Sequence, residues 1–276
     1  MILKDKVVLV TGAGRGLGAG VARACGQAGA YVYATDIDEV ELAQTLADMA
    51  RDGSTGEAHH LDVADLVAFQ TLVEEIVANH NRLDALIHCA AIMPQIPFAE
   101  TTTVLWQREL NINLGGFVHG TQLVWEQMKQ QGGGHLVAVA SGASVRGYAD
   151  EVMYCAGKHA LEGFVKALAF EAAPYNIGVN TIGPGKLIKP TGITRAELAQ
   201  MSDEEKAKWI DPTTLSEAFV WLVAQPPQRF SGLRLDAGPI IDTIAAEGYD
   251  FAFAPEKVTL YVDDLASRRA WQAAGE

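Results

Sequence analysis

The sequence predicts an α/β fold: a doubly wound parallel sheet in a single domain, followed by a C-terminal extension. Three observations predict it. Short, nearly continuous apolar runs recur along the chain, amphipathic stretches of helical period separate them, and a glycine cluster closes the first run. Strands of this kind are buried on both faces and joined by right-handed crossovers. Ligands of such sheets bind beyond the carboxyl ends of the strands. Functional residues are therefore expected where the apolar runs stop.

Taken in order, residues 6–10 read as the first strand and 17–28 as the first helix. A strand at 31–35 and a helix at 39–50 follow, then a weaker strand at 57–61 and a helix at 66–77. Strands at 85–90, 136–140 and 178–182 alternate with two long helical stretches, 105–130 and 154–173. Residues 186–209 lose this rhythm and read as a mobile loop with a short helix. A short closing strand at 232–236 ends a domain set at residues 1–238. The extension, 239–276, is too apolar for a disordered tail. Its Ile240, Ile241, Ile244, Tyr249, Phe251, Phe253 and a strand-like stretch at 258–262 are expected to pack on the domain or on a partner subunit.

With 276 residues, 49% hydrophobic and 20% charged, the chain has the composition of a folded protein with one large core. A net charge of −13 argues against general affinity for nucleic acid or anionic membrane, because like charges repel. Cys25, Cys89 and Cys155 are scattered and lack metal-ligand spacing, so reduced thiols and no metal site are expected. The start, with Lys4, Asp5 and Lys6, does not read as an export signal, and no apolar run is long enough to span a bilayer. The expected location is the cytoplasm.

Thr11-Gly12-Ala13-Gly14-Arg15-Gly16-Leu17-Gly18 lies between the first strand and the first helix. Glycines there let the backbone turn tightly and approach a pyrophosphate, whose charge sits at the helix N-terminus. The fold is thereby of Rossmann type, with Gly12, Arg15, Gly16, Leu17 and Gly18 as candidate cofactor contacts. Asp36 ends the second strand, where an acid accepts from both adenosine ribose hydroxyls and repels a 2′-phosphate; the bland reading is a helix cap. Arg15 argues the other way, since a cation there pairs with a 2′-phosphate. A carboxylate in a poorly solvated pocket outweighs an arginine on a flexible turn, so NAD is the expected cofactor. Asp62 and Val63 end the third strand as candidate adenine contacts, with Asp62 equally able to cap the helix near Asp65.

Tyr154 and Lys158 are spaced by four, which puts phenol and ammonium on one helical face. A phenol titrates near 10 in water, and a neighbouring cation is expected to draw it down toward a useful acid/base range. Alone, such a pair is commonplace on surfaces. Ser141, directly after a strand, lies on the same sheet edge as the glycine turn and can hold a substrate oxygen against Tyr154; otherwise it caps a turn.

With these residues in view, the sequence resembles the short-chain dehydrogenase/reductase family, in its single-domain branch, over residues 4 to about 238. The resemblance rests on Thr11-Gly12-x-x-x-Gly16-x-Gly18, Ser141, Tyr154-x-x-x-Lys158 and Asn180-x-x-x-Pro184-Gly185, with Ile112-Asn113-Leu114 resembling the helix that carries a fourth catalytic group. It implies that Tyr154 is the general acid/base and that Ser141 orients and polarises the substrate oxygen. It implies that Lys158 bonds the nicotinamide ribose and lowers the tyrosine pKa, and that Asn113 holds a water linking Lys158 to solvent. It adds Ala90, Tyr154, Lys158, Pro184, Gly185 and Ile188 to the cofactor contacts, and suggests a homotetramer or homodimer packed through the two long helices. Three departures stand out. His88-Cys89-Ala90-Ala91 replaces Asn-Asn-Ala-Gly, which removes tethering by asparagine; Lys189 stands where a threonine often binds the carboxamide; and the closing strand is short.

Met93, Ala143, Tyr148 and Lys189 are the expected substrate neighbours, with Val152 and the 186–209 loop. Lys186, Lys189 and Arg146 would together attract an anionic substrate; solvated loop charges are the alternative. The expected activity is NAD-dependent interconversion of an alcohol and its carbonyl. The competing class is a sensor or scaffold that binds NAD without turnover.

Overall fold

The apolar runs form seven strands: β1 (Val7–Thr11), β2 (Tyr31–Asp36), β3 (Thr55–His60), β4 (Ala85–His88), β5 (Gly134–Val139), β6 (Ile177–Gly183) and β7 (Arg234–Asp236). The structure, a computed structural model, describes residues 1–251. The strands pair in parallel in the order β3-β2-β1-β4-β5-β6-β7, as the fold class predicts. The order reverses between β1 and β4, so a crevice opens beyond their carboxyl ends.

Helices α1 (Gly16–Gln27), α2 (Glu39–Arg51), α3 (Leu66–His80), α4 (Thr103–Leu110), α5 (Gly116–Gln130) and α6 (Val152–Ala172) fill the crossovers. Alternate strand residues serve the two faces. Val8, Val10 and Val32 meet Val21, Phe219 and Trp221 on one side, while Val7, Leu9 and Tyr33 meet Phe69, Phe117 and Val165 on the other. This double burial explains why the inner strands read as unbroken apolar runs, while the partly exposed edge strand β3 does not. Asp38 caps α2 by accepting from Glu41 N–H, and Asp65 caps α3 by accepting from Val67 and Ala68. Asp36 and Asp62 therefore do not cap these helices; Asp62 instead closes a turn with Ala64 N–H.

The single helix expected at 105–130 is divided. A π-helical turn, Asn111–Gly115, separates α4 from α5. Asn113 is fully buried there, and its side-chain amide accepts from Ile92 N–H and donates to Ile92 C=O, both at 2.9 Å. That pairing tethers the turn to the segment after β4, a contact that helical periodicity does not report.

The 186–209 segment carries two short helices, α7 (Arg195–Gln200) and α8 (Asp203–Lys206), rather than one. After α9 (Glu217–Ala224) and β7, α10 (Ala237–Glu247) starts at once, so the boundary expected after residue 238 falls inside a helix. Ile240 joins the core, and the Phe251 ring stacks on Trp221 at 4.9 Å. Phe253 and the strand expected at 258–262 lie outside the described residues. Among the described residues, no helix is long and apolar enough to cross a membrane.

Candidate active site

The glycine turn owes its shape to contacts that only glycine permits. Gly12 and Gly16 have φ of 65° and 56°, in the left-handed region. A Cβ at Gly18 would stand 2.0 Å from the Gly12 carbonyl oxygen, and one at Gly12 would stand 2.5 Å from Ala90 N. The turn is thereby pressed against the end of β4. Asp36 accepts from Gly14 N–H at 2.8 Å and from Asp38 N–H at 3.0 Å, which holds its carboxylate beside the turn. Arg15 is drawn away from it: its guanidinium lies 3.5 Å from Asp38 and donates to Thr191 C=O at 3.3 Å.

A cleft of about 810 Å³ follows this edge of the sheet. Gly12, Arg15, Gly16, Leu17, Gly18, Asp36, Asp62, Val63 and Ala90 line one stretch, and Pro184, Gly185 and Ile188 line its far wall. Ser141, Tyr154, Lys158, Met93, Tyr148 and Lys189 line the same cleft. Tyr154 and Lys158 occupy the first two turns of α6, and Ser141 sits two residues beyond β5.

Ser141 does two things at once. Its Oγ accepts from Ala143 N–H at 3.2 Å and caps a tight turn over Gly142–Ser144, as the bland reading had it. The same hydroxyl bonds the Tyr154 phenol. Lys158 is buried, its ammonium 5.6 Å from the centre of the Tyr154 ring and donating to Val139 C=O at 2.7 Å. Burial pulls the Lys158 pKa down to about 8, with Cys89 and Glu162 drawing it the other way.

The geometry agrees with sequence comparison. Residues 6–202 match the short chain dehydrogenase family. This chain belongs to the short chain dehydrogenases. It is 32% identical over 238 residues to a cyclopentanol dehydrogenase of Comamonas sp. (strain NCIMB 9872), covering 84% of this chain and 95% of the relative. It is 33% identical over 210 residues to a galactitol 2-dehydrogenase of Agrobacterium fabrum (strain C58 / ATCC 33970), covering 76% and 78%. In fold it resembles a metagenomic short-chain oxidoreductase in complex with NADP, with a TM-score of 0.72, 24% identity and coverage of 84% and 96%.

Within this family the site departs from the sequence expectations at several places. The Tyr154 phenol is not made more acidic. Burial pushes it up to about 12, the Ser141 hydrogen bond pulls it down, and Glu151 and Cys155 raise it further. Desolvation dominates because a nearly enclosed ring leaves its phenolate little water to solvate it. The phenol is accordingly expected to remain protonated past about pH 10. An ultraviolet difference titration of wild type against Tyr154→Phe checks this, and phenolate from this ring near neutrality would contradict it.

Asn113 lies behind the cleft wall, its amide oxygen and nitrogen each bonded to Ile92. Ala143 is buried beneath the wall, packed with Tyr154 and Cys155, and Gly142 takes its place facing the cleft. Lys189 turns inward: its ammonium donates to Ile193 C=O at 2.6 Å and Pro190 C=O at 3.3 Å, staples that a desolvated cation needs. Lys186 pairs with Asp242 at 3.0 Å. Val152 is half-exposed and outside the cleft wall.

The lost asparagine tether is replaced. His88 Nε2 lies 3.2 Å from Ile112 C=O and Nδ1 lies 2.9 Å from Thr11 Oγ1. A carbonyl only accepts, so Nε2 carries the proton and Nδ1 accepts from the hydroxyl. Burial holds this imidazole neutral, down to about 3, assisted by the Lys158 charge. One ring thus ties β1, β4 and the π-helical turn together.

Arg234 was missed. It is buried at the cleft floor, 3.1 Å from Asp236 and 3.6 Å from Glu162, and it donates to Ser141 C=O at 3.3 Å. An arginine inside a buried strand needs a buried counter-charge, which was the available signal. Elsewhere, Glu57, His59 and Glu75 form the one group among the described residues that could hold a metal ion, and none of them lines the cleft.

Proposed function

We propose that this chain is an NAD-dependent dehydrogenase that interconverts a neutral secondary alcohol, cyclic or polyol, with its carbonyl. The observation that carries this reading is the convergence of Ser141, Tyr154 and Lys158 on the cleft that the glycine turn opens. The residues present suit a nicotinamide dinucleotide. A Cβ at Gly16 would meet only Pro212 Cγ, at 3.8 Å, so the turn offers bare backbone to the cleft at the start of α1. Asp36 and Asp62 stand where the adenosine would lie.

When bound, the dinucleotide supplies the hydride acceptor or donor. The chain does the rest. Ser141 orients the substrate oxygen by hydrogen bonding, and its position is fixed by the turn it caps. Tyr154 accepts the hydroxyl proton during oxidation and returns it during reduction, at its phenol oxygen. Lys158, its ammonium 5.6 Å from the centre of the Tyr154 ring, sets a positive charge near the group that takes up negative charge during reduction. The buried wall excludes water from the transfer.

NAD rather than NADP is supported by the Asp36 carboxylate and by the pairing of Arg15 with Asp38. Replacing Asp36 by Asn is expected to shift the NADPH-to-NADH efficiency ratio about tenfold toward NADPH, equivalent to about 1.4 kcal/mol. A wild-type preference for NADPH would overturn the cofactor assignment. Of the three cations expected to draw an anion, Lys186 and Lys189 are engaged elsewhere, which leaves Arg146 on the cleft wall and supports a neutral substrate. The names of the similar enzymes, cyclopentanol and galactitol dehydrogenases, support it as well. The direct test supplies NAD with a panel of cyclic alcohols and polyols and reads NADH formation. NADH binding with no turnover across that panel would leave the sensor reading standing.

The working enzyme is read as a cytoplasmic homotetramer or homodimer packed through α5 and α6. The exposed Phe170 on α6 and Tyr175 just after it suit such a contact; a monomeric mass in solution would refute it.

A further inference from the structure

The loop that borders the substrate region is tied to the opposite end of the cleft chiefly by one side chain, Arg195. Arg195, the first residue of α7, donates its main-chain N–H to Glu41 at 3.0 Å, and its guanidinium lies 2.9 Å from the same carboxylate. The guanidinium also reaches Asp48 at 3.0 Å, Thr45 Oγ1 at 2.8 Å and Gly14 C=O at 3.1 Å. Glu41, Thr45 and Asp48 are all buried on the inner face of α2. Gly14 belongs to the glycine turn, and its N–H donates to Asp36. Its carbonyl accepts from Thr45 Oγ1 as well, at 2.9 Å. The chain between α7 and the substrate region is short and held: Arg15 donates to Thr191 C=O, and Lys189 is stapled to Ile193 C=O. Leu187, Ile188 and Thr191 from that stretch line the cleft.

We infer that Arg195 is a positioning residue that couples the substrate loop to the adenosine end of the cofactor cleft. The inference rests on the proposed cofactor site. Arg195 touches neither the cleft wall nor the reacting groups. It acts through Gly14, whose carbonyl it bonds and whose N–H bonds Asp36, and through the loop, which bears on the substrate. Binding at either end therefore favours the docked loop, and linkage makes the effect reciprocal. Two carboxylates and a carbonyl around one guanidinium also make the latch specific to arginine, whose planar fork a lysine cannot reproduce.

The test uses ADP-ribose, which probes the adenosine end without the nicotinamide. In Arg195→Ala the ADP-ribose Kd is expected to rise about tenfold, within the usual range of coupling between sites. The KM for the alcohol at saturating NAD should rise with it while kcat changes little. Arg195→Lys should recover part of both. Asp48→Asn keeps the arginine and is expected to shift both constants in the same direction by less, so it decides the matter if Arg195→Ala does not fold. Wild type that binds no ADP-ribose would overturn the cofactor site and this inference together. Wild type that binds it, with unchanged Kd and KM in both variants and only a lower Tm, would overturn the inference alone.

Discussion

Tyr154→Phe is expected to lower kcat by a factor of about 10² to 10⁴, the range in which a positioned proton donor contributes. The substitution keeps the ring, which is only 6% exposed and packs against Ala143 and Cys155, so the fold and the NAD affinity should hold. It removes the oxygen that Ser141 bonds. Steady-state kinetics beside NADH fluorescence titration separates the two effects. In wild type, the oxidative rate should climb with pH through the alkaline range, because only the deprotonated oxygen accepts the substrate proton. Burial places that ionisation high, at about 12, so the deprotonated fraction grows tenfold per pH unit below it. The climb should become shallower above about pH 8, where Lys158 loses its charge. Unchanged kcat in the phenylalanine variant on a true substrate would remove the mechanism.

The largest effect on stability is expected at Arg234. Arg234→Met keeps most of the volume but leaves Glu162 and Asp236 without their cation in a buried setting, a change that costs about 3 to 5 kcal/mol. Denaturant unfolding reads this directly. Adding Glu162→Gln should recover part of the loss, because the uncompensated carboxylate is its main source. Burial already holds the Glu162 carboxyl above the usual carboxylate range despite Arg234, and Thr181 and Ser144 bond it. A carboxyl raised in the folded state contributes stability below its unfolded pKa and loses it as pH rises through the folded value. The deficit of Arg234→Met should accordingly shrink as pH falls through that window. A deficit independent of pH, or one that Glu162→Gln does not relieve, would mean the ion pair contributes little. Because Arg234 also holds the Ser141 carbonyl, kcat of the surviving folded protein should fall.

Much of this site was legible in the chain itself, for a local reason. Most of the strands were legible because their side chains are buried on both faces, which leaves an unbroken apolar signature; β3, partly exposed along its length, read more weakly. Gly12, Gly16 and Gly18 could be read from their position between a strand and a helix, where only a bare backbone makes the turn. Ser141, Tyr154 and Lys158 could be placed on one edge because each follows a strand end or shares a helical face. Spacings of one, three or four residues and the ends of apolar runs are properties of neighbouring residues, and sequence displays them directly.

What the chain did not display is every feature made by partners distant along it. Arg195 meets groups 147 and 181 positions away, and Arg234 reaches back 93 positions to Ser141. The π-helical turn exists because Asn113 bonds Ile92, and His88 replaces an asparagine tether because Thr11 and Ile112 happen to flank it in space. Lys189 was read as a cation for substrate, whereas carbonyls close to it draw it inward. The Tyr154 titration turned on how much water the fold removes. Period and composition determined the sheet, the turn and the reacting groups. Burial and long-range pairing, which depend on the assembled chain, decided how those groups are charged, tethered and aimed.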